Sequence, residues 1–295
     1  MEIAVLGPLS ARVGQASVVP SAAKPRQVLA LLALNCGHPV SVSSLVDELW
    51  GDRPPRSAEA TLHTYVKQLR RMIGAALAPD DPRGPRDVLR RVHTGYRLDG
   101  AAGGTDAAQF ERLTLAGRSA LERGAEAAAS TLLIRALGLW RGPVLADVAL
   151  GPVLRAEALR LEELRLMALE ERFGAELRRG RHRTLIGELA ALTSRFPLHE
   201  NLHAQLMLAL YRSGRTGQAL EVYRRLRHVL ADELGLEPST QVRRLHEALL
   251  RGDPVLDSPA AAPRGDLAPP AGPGRGREDV PMPTVPGSPL PVAAR

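Results

Sequence analysis

The stretch from Ser57 to Ile73 most constrains the fold, because it has the pattern of a single amphipathic helix. Ser57 stands where an N-cap is expected, since its side-chain oxygen can accept a bond from a free backbone N–H. Apolar side chains recur at helical spacing and predict one buried stripe: Leu62, Val66, Leu69 and Ile73. The opposite face is polar and cationic: Thr61, Thr64, Lys67, Gln68 and Arg71. Such a helix buries one side and presents the other to a partner.

The polar face of this helix matches the chemistry of the major groove of DNA. Arginine and lysine can bond guanine, glutamine can bond adenine, and a threonine methyl can contact thymine. The net charge of the chain, +7 at pH 7, permits a polyanionic partner without requiring one. An ordinary amphipathic surface helix is the alternative interpretation.

Cysteine content and hydropathy argue against a disulfide-bonded, secreted or membrane-spanning protein. Cys36 is the only cysteine, so neither an intramolecular disulfide nor a cysteine-based zinc site is expected. The first residues lack the basic segment and long apolar run of a signal peptide. The longest apolar run, Val28–Leu34, is too short to cross a bilayer. We therefore expect a soluble cytoplasmic protein with no membrane partner.

The residues before the cationic helix predict a sheet and two further helices. Residues 2–19 have the alternation and turn residues of short antiparallel strands. A helix is expected at Arg26–Asn35, with Pro25 at the first helical position, and another at Val42–Trp50, capped by Ser41. A helix, a short turn and a cationic-faced helix form the order of a helix-turn-helix.

The candidate DNA contacts extend beyond the helix itself. Residues 88–98 predict a β-hairpin, and its cations could lie on phosphates or enter a minor groove as a wing: Arg90, Arg91 and His93. Three other cations are candidate phosphate anchors: Lys24, Arg26 and Arg70. Within the helix, Gln68 and Arg71 are the strongest candidates for base edges or nearby phosphates.

Several motifs of this part, taken in order, resemble one family. They are Val5–Pro8, Lys24–Leu34, Val40–Val42, Leu49–Asp52, Thr61–Arg71 and Thr94–Leu98. Together they resemble the OmpR-type winged helix in the form that opens the Streptomyces antibiotic regulatory proteins. The resemblance implies that residues 1–100 are a winged-helix DNA-binding domain.

The second half of the chain is expected to be almost entirely helical and to contain a repeat. Gly180-Arg181 and Gly214-Arg215 lie 34 residues apart, and apolar positions match in the same register. That period is typical of tetratricopeptide-like helix pairs. Earlier residues predict a helical hairpin from Ala107 to Trp140. We therefore expect a mostly α fold, in which a winged helix-turn-helix precedes an all-α, tetratricopeptide-like domain.

This helical half resembles the bacterial transcriptional activation domain of the same family. The residues that carry the resemblance are Leu139–Pro143, Leu154–Glu157, Arg160–Arg165, Gln205–Arg215, Ala219-Leu220 and Glu233–Pro238. The resemblance places this domain at residues 106–252. It also implies function: two protomers sit head-to-tail on direct repeats of promoter DNA, hold RNA polymerase with its sigma factor there, and activate a secondary-metabolite or antibiotic gene cluster.

The remaining residues, 253–295, are rich in proline and glycine and carry balanced charge. Such a segment buries too little apolar surface to offset its ordering entropy. We expect a disordered tail there.

One motif raises a different class of function. His199-Glu200-Asn201-Leu202-His203 fits H-E-x-x-H, which on a helix can bind zinc and supply a glutamate base, with Glu221 as a conceivable third ligand. Pro197 would put His199 at a helix start, and Leu202 is needed for packing, so we expect no metal site. Phosphate-loop, dinucleotide and nucleophile-elbow motifs are missing from the sequence, so no catalytic residue and no cofactor are expected. A zinc hydrolase and a helical-repeat adaptor that binds protein remain the alternatives to a DNA-binding activator.

Overall fold

The computed structural model describes residues 1–100 and 104–258, and helices dominate it. The first hundred residues follow the order of a winged helix, and a helical domain follows, as the sequence predicts. The elements of the first part are β1 Glu2–Ala4, β2 Ser10–Val13, β3 Ala16–Ser17, α1 Ala23–Leu34, β4 Pro39–Ser41, α2 Val42–Trp50, α3 Ala58–Ala76, α4 Pro85–Val88, β5 Leu89–Val92 and β6 Gly95–Leu98.

Two small antiparallel sheets frame the three long helices of this part. The first has the order β1-β2-β3, and the second has the order β4-β6-β5. In the second sheet Val40 lies opposite Tyr96, next to Gly95. A Cβ at Gly95 would lie 1.9 Å from the carbonyl oxygen of Val40, so only glycine allows β4 to approach the hairpin this closely.

The predicted helix starts need two corrections. Helix α1 begins at Ala23, so Pro25 is its third residue and not its first, although it is still in the turn that lacks internal N–H bonds. Ser57 precedes α3 but its side chain makes no capping bond, because its backbone (φ −95°, ψ 16°) is not in the extended conformation that an N-cap usually adopts. Ser41 does cap α2, accepting a 2.9 Å bond from the N–H of Ser44. Strand β4 and the short helix α4 were not expected from the sequence.

The second part consists of helices that pack as successive antiparallel pairs. They are α5 Asp106–Glu122, α6 Glu126–Leu137, α7 Pro152–Arg178, α8 His182–Arg195, α9 Glu200–Arg212, α10 Thr216–Leu234 and α11 Thr240–Arg251. Gly180 and Gly214 follow α7 and α9, and each has a φ of +75°. The predicted equivalence of the two turns is therefore confirmed in backbone conformation, and matching positions such as Leu189 and Tyr223 are both buried.

Helix α7 connects two hydrophobic cores. Its first half, including Leu154 and Leu161, packs into a core shared with the winged helix, α5 and α6. Its second half, including Phe173 and Leu177, packs into the core of the later helices. The winged helix and the helical domain thus share a hydrophobic core in addition to the linker that joins them.

Backbone and carboxylate hydrogen bonds reinforce this shared core. The carboxylate of Glu48 on α2 accepts bonds from the N–H groups of Gly151 (2.6 Å) and Leu154 (2.8 Å) at the start of α7. A buried acid there also complements the positive end of the α7 dipole. Asp106 accepts bonds from the N–H groups of Val5 (2.7 Å) and Leu6 (3.0 Å). The two parts are held in one arrangement by groups that belong to both.

The disorder predicted from residue 253 on is wrong for the first residues of that segment. Residues Pro254–Asp257 form a 3₁₀ helix in which Leu256 is buried, and Arg212 Nε donates to the carbonyl of Leu256 at 2.7 Å. The rest of the tail prediction, from residue 259 on, lies outside the described residues, and so do residues 101–103, between the two predicted domains. Across the described ranges, the structure contains no helix that is long and apolar enough to cross a membrane.

Candidate nucleic-acid interface

The stripe predicted for α3 is buried as expected. Leu62, Val66, Leu69 and Ile73 are each at most 1% exposed and anchor the helix in the core. Thr64, Lys67 and Arg71 recur at positions i, i+3 and i+7 and are all exposed. Thr61 and Gln68 are half-buried along one border of this row. The outward face is therefore centred on Thr64, Lys67 and Arg71.

The central cations of α3, Lys67 and Arg71, form no ion pair in the part of the chain that the structure describes. Within the described ranges, neither Lys67 nor Arg71 has a carboxylate within ion-pairing distance. The hydroxyl of the exposed Thr64 donates to the carbonyl of Ala60 at 3.1 Å. An exposed row that contains two unneutralised cations provides the donors that base edges and phosphates require.

The wing is a tight hairpin beside α3. Val92 pairs with Gly95, so the loop contains only His93 and Thr94, and His93 is exposed at its tip. Arg90 is exposed, but its Nε lies 3.0 Å from Oδ2 of Asp99. Part of the positive charge of the wing is therefore neutralised within the protein, whereas the exposed Arg91 has no carboxylate partner within the described ranges.

His63 connects the wing to α3, and the sequence did not mark it as a site residue. Nη1 of Arg91 lies 3.2 Å from Nε2 of His63. The guanidinium of Arg91 lies 5.8 Å from the ring centre of Tyr96, and the His63 ring meets the same tyrosine edge-on at 6.3 Å. His63 falls between the buried and outward faces of α3, which is the only sequence signal for its role.

The three candidate phosphate anchors make bonds within the protein instead of facing outward. Lys24 Nζ donates to the carbonyl of Leu49 at 2.6 Å and lies 4.8 Å from the ring centre of Trp50. Arg26 and Arg70 also bond internal groups. The partners are the carbonyl of Pro20 and the carboxylate of Asp147 for Arg26, and the carbonyl of Leu89 for Arg70. Burial lowers the pKa of Arg70 from its usual value. The contacts of all three are consistent with structural roles.

The residues of the H-E-x-x-H motif have separate partners. His199 precedes α9, as Pro197 led us to expect, and its Nε2 lies 2.8 Å from Oε1 of Glu170. This hydrogen bond raises the pKa of His199. Glu200 accepts a 2.6 Å bond from the N–H of Ser239, and Nδ1 of His203 lies 3.1 Å from the carbonyl oxygen of His199. In the ranges that the structure describes, no three histidine, cysteine or acidic side chains group as a metal site.

Two family models match the two parts of the chain. The model described as "Transcriptional regulatory protein, C terminal" matches residues 16–98. The model described as "Bacterial transcriptional activator domain" matches residues 105–250.

Individual proteins match about nine tenths of the chain. "Regulatory protein DnrI" of Streptomyces peucetius is 51% identical over 267 residues, which cover 89% of this chain and 98% of that protein. "Transcriptional regulator RedD" of Streptomyces coelicolor is 38% identical over 269 residues, covering 91% of this chain and 76% of that protein.

A solved structure shares the fold. The chain superposes with a TM-score of 0.78 on the structure of Mycobacterium tuberculosis EmbR in complex with a low-affinity phosphopeptide, at 38% identity. The match covers 85% of this chain and 65% of the EmbR chain. With both family models matched in the order seen in the fold, the chain belongs to the Streptomyces antibiotic regulatory protein family of DNA-binding transcriptional activators.

Proposed function

We propose that the chain activates a secondary-metabolite or antibiotic gene cluster by binding direct repeats in promoter DNA as a head-to-tail homodimer. Residues 1–100 act as the DNA-binding domain, and residues 106–252 act as the activation domain that holds RNA polymerase, including its sigma factor, at the promoter. The observation that carries the proposal is the outward face of α3, where Lys67 and Arg71 are exposed and no acid from the described part of the chain pairs with them.

The geometry of α3 supports a division of roles among the candidate contacts. Arg71 and Lys67 lie at the centre of the outward face, so they suit guanine edges or phosphates. Gln68 and Thr61, along one border, suit contacts at the side of the groove. The wing tip with His93 and the neighbouring Arg91 suits backbone or minor-groove contacts. Lys24, Arg26 and Arg70 then support the domain, and any phosphate contact they make is secondary.

The shared core supports an activator that acts as one rigid body on DNA. Glu48 lies on α2, the first helix of the helix-turn-helix, and bonds the start of α7. A helical domain that is fixed to the DNA-binding domain presents the same surface to RNA polymerase at every promoter site. No enzymatic step is needed for this activity, and we propose that the protein works in the cytoplasm without catalysis.

The proposal is tested by selecting bound fragments from a random duplex pool with the full chain at near-physiological salt. We expect enrichment of a direct repeat. Arg71→Ala should then lose about 1–3 kcal/mol of discrimination at one base position if Arg71 reads a base. A phosphate contact instead gives a roughly uniform loss and a salt slope shallower by about one.

A matched control is Arg244→Ala, which removes an exposed arginine from α11. We expect it to leave DNA affinity unchanged. Failure to enrich any repeat, with binding that vanishes as salt rises, would contradict sequence-specific reading. If Arg71→Ala changes neither the base discrimination nor the salt dependence of binding, α3 does not contact the DNA.

A further inference from the structure

A cavity of about 530 Å³ lies between α8, α9 and α10, and neither DNA binding nor the shared core uses it. Its apolar lining comes from all three helices: Ile186, Leu206, Leu210, Val222 and Val229. A volume of this size is typical of pockets for small ligands. The cavity is therefore large enough to hold a molecule and apolar enough to favour one with a hydrocarbon body.

His203 supplies a polar group that faces this cavity. His203 lines the cavity and is only 5% exposed. Its Nδ1 lies 3.1 Å from the carbonyl oxygen of His199, and a carbonyl can only accept, so Nδ1 carries the proton. Burial lowers the pKa of His203, which keeps the ring neutral near pH 7. Nε2 is left as a hydrogen-bond acceptor for the cavity.

The rim of the cavity carries uncompensated positive charge. Arg215 and Arg225 line it and are exposed. Glu221, the acid in the lining, already pairs with Arg224 at 3.0 Å. Within the described ranges no carboxylate pairs with Arg215 or Arg225. An anionic group at the rim would pair with these two arginines, because arginine binds carboxylate and phosphate well.

We infer that this cavity binds an anionic amphiphile, a small molecule with an apolar body, one carboxylate or phosphate, and a hydroxyl or amide donor. The apolar body contacts Leu206 and Val222, the anionic group binds Arg215 and Arg225, and the donor bonds Nε2 of His203. The second histidine of the H-E-x-x-H motif is thereby part of a ligand pocket and not of a zinc centre. This inference does not depend on which DNA sequence the protein reads.

The test is calorimetric titration of the full chain with 3-hydroxydecanoate, which carries a carboxylate, a hydroxyl and an apolar chain. We expect saturable binding of one molecule per chain. The Arg215→Glu, Arg225→Glu double variant should weaken binding at least about tenfold, because two charge-assisted bonds are lost and repulsion replaces them. Arg244→Glu, outside the cavity, is the matched control and should change affinity less than about twofold. The uncharged analogue 1-decanol should also bind more weakly, by a smaller factor than the double variant shows, because it loses the charge-assisted bonds but meets no repulsion.

Ala190→Trp provides a second, independent variant. Ala190 lines the cavity but is exposed, so the larger side chain can enter the cavity without disturbing the core. We expect it to abolish binding while the circular dichroism spectrum and Tm stay unchanged. Absence of saturable binding in the unmodified chain would overturn the inference, and so would equal affinity in the double variant. Binding of an acidic, aliphatic peptide without any response to 3-hydroxydecanoate would also overturn it, because the occupant would then be a polypeptide.

Discussion

Glu48 and Gly151 are joined by a 2.6 Å hydrogen bond from the N–H of the glycine to Oε1 of the carboxylate, across 103 residues of sequence. The second carboxylate oxygen accepts the N–H of Leu154 at 2.8 Å, and Glu48 is 2% exposed. The buried side chain of Glu48, on the helix-turn-helix, therefore caps the N-terminus of α7 in the helical domain. A Cβ at Gly151 would lie 2.1 Å from the carbonyl oxygen of Glu48, so the contact also requires a glycine.

Glu48→Ala should lower the free energy of unfolding by roughly 2–4 kcal/mol, because two N–H groups at a buried helix start lose their partner. Chemical denaturation of the full chain measures this loss. Asp47→Ala is the matched control, since Asp47 is the neighbouring acid on α2 but is exposed, and its effect should stay within about 0.5 kcal/mol. Equal effects of the two substitutions would contradict the role given to Glu48.

His63→Ala should weaken DNA binding by releasing Arg91 from its place beside α3. We expect a loss of roughly fivefold, about 1 kcal/mol, because one hydrogen bond and an aromatic contact are removed. The double-mutant cycle with Arg91→Ala separates positioning from direct contact: if His63 acts through Arg91, the two losses should be less than additive. Fluorescence anisotropy on the selected DNA measures each affinity.

A matched control for this cycle is His38→Ala, an exposed histidine outside α3 and the wing. It should leave affinity unchanged within error. Losses at His63 and Arg91 that simply add would show that His63 contacts DNA itself, or supports another part of the interface, and would remove its positioning role.

These contacts also show where sequence reasoning stops. The buried stripe of α3 and the equivalent turns at Gly180 and Gly214 are local patterns, set by helical periodicity and by the backbone conformation that glycine permits. They could be predicted. The partners of Glu48 lie more than a hundred residues away, and no local pattern marks a carboxylate as buried. Only the packed structure brings such groups together.

The same limit applies to the cations of the candidate site. Lys24 has the charge of a phosphate anchor, but in the fold its ammonium group donates a hydrogen bond to the carbonyl of Leu49. Charge and residue type are the same for an inward and an outward cation, so the sequence cannot separate them. On α3 the helical period does separate them, which is why the outward position of Lys67 and Arg71 could be predicted and the internal contact of Lys24 could not.

The stability contributed by His199 should depend on pH. Its pKa is raised, chiefly by the hydrogen bond to Glu170, so the folded state binds the proton more tightly than the unfolded chain does. The contribution is fully present below the unfolded-state pKa of about 6.5 and is lost as the pH rises through the higher folded-state pKa. The difference in unfolding free energy between the unmodified chain and His199→Gln should therefore be largest in mild acid and shrink in mild alkali.

Denaturation at a series of pH values checks this. His228→Gln is a useful control, because the pair of His228 with Asp232 is exposed and i,i+4 pairs of this kind contribute little. His203 acts in the opposite direction, since burial lowers its pKa and protonation disfavours the folded state, so it is left unchanged in both variants. A His199→Gln difference that stays constant across the series would contradict the assignment of the shift to the Glu170 contact.

The two repeat turns allow backbone strain to be measured without any change in packing. Gly180 and Gly214 each have a φ of +75°, and a Cβ at either position would meet no atom within 4 Å. Gly214→Ala should therefore destabilise the chain by about 1 kcal/mol through the left-handed conformation alone.

Gly187 is the matched control, since it lies inside α8, is not in the left-handed region, and its Cβ would also meet nothing. Gly187→Ala should stabilise the chain by roughly 0.5–1 kcal/mol, because alanine favours the helix. Opposite signs for the two substitutions would support glycine at the turns as a conformational requirement, whereas a neutral Gly214→Ala would mean that the turn relaxes to another conformation at no cost.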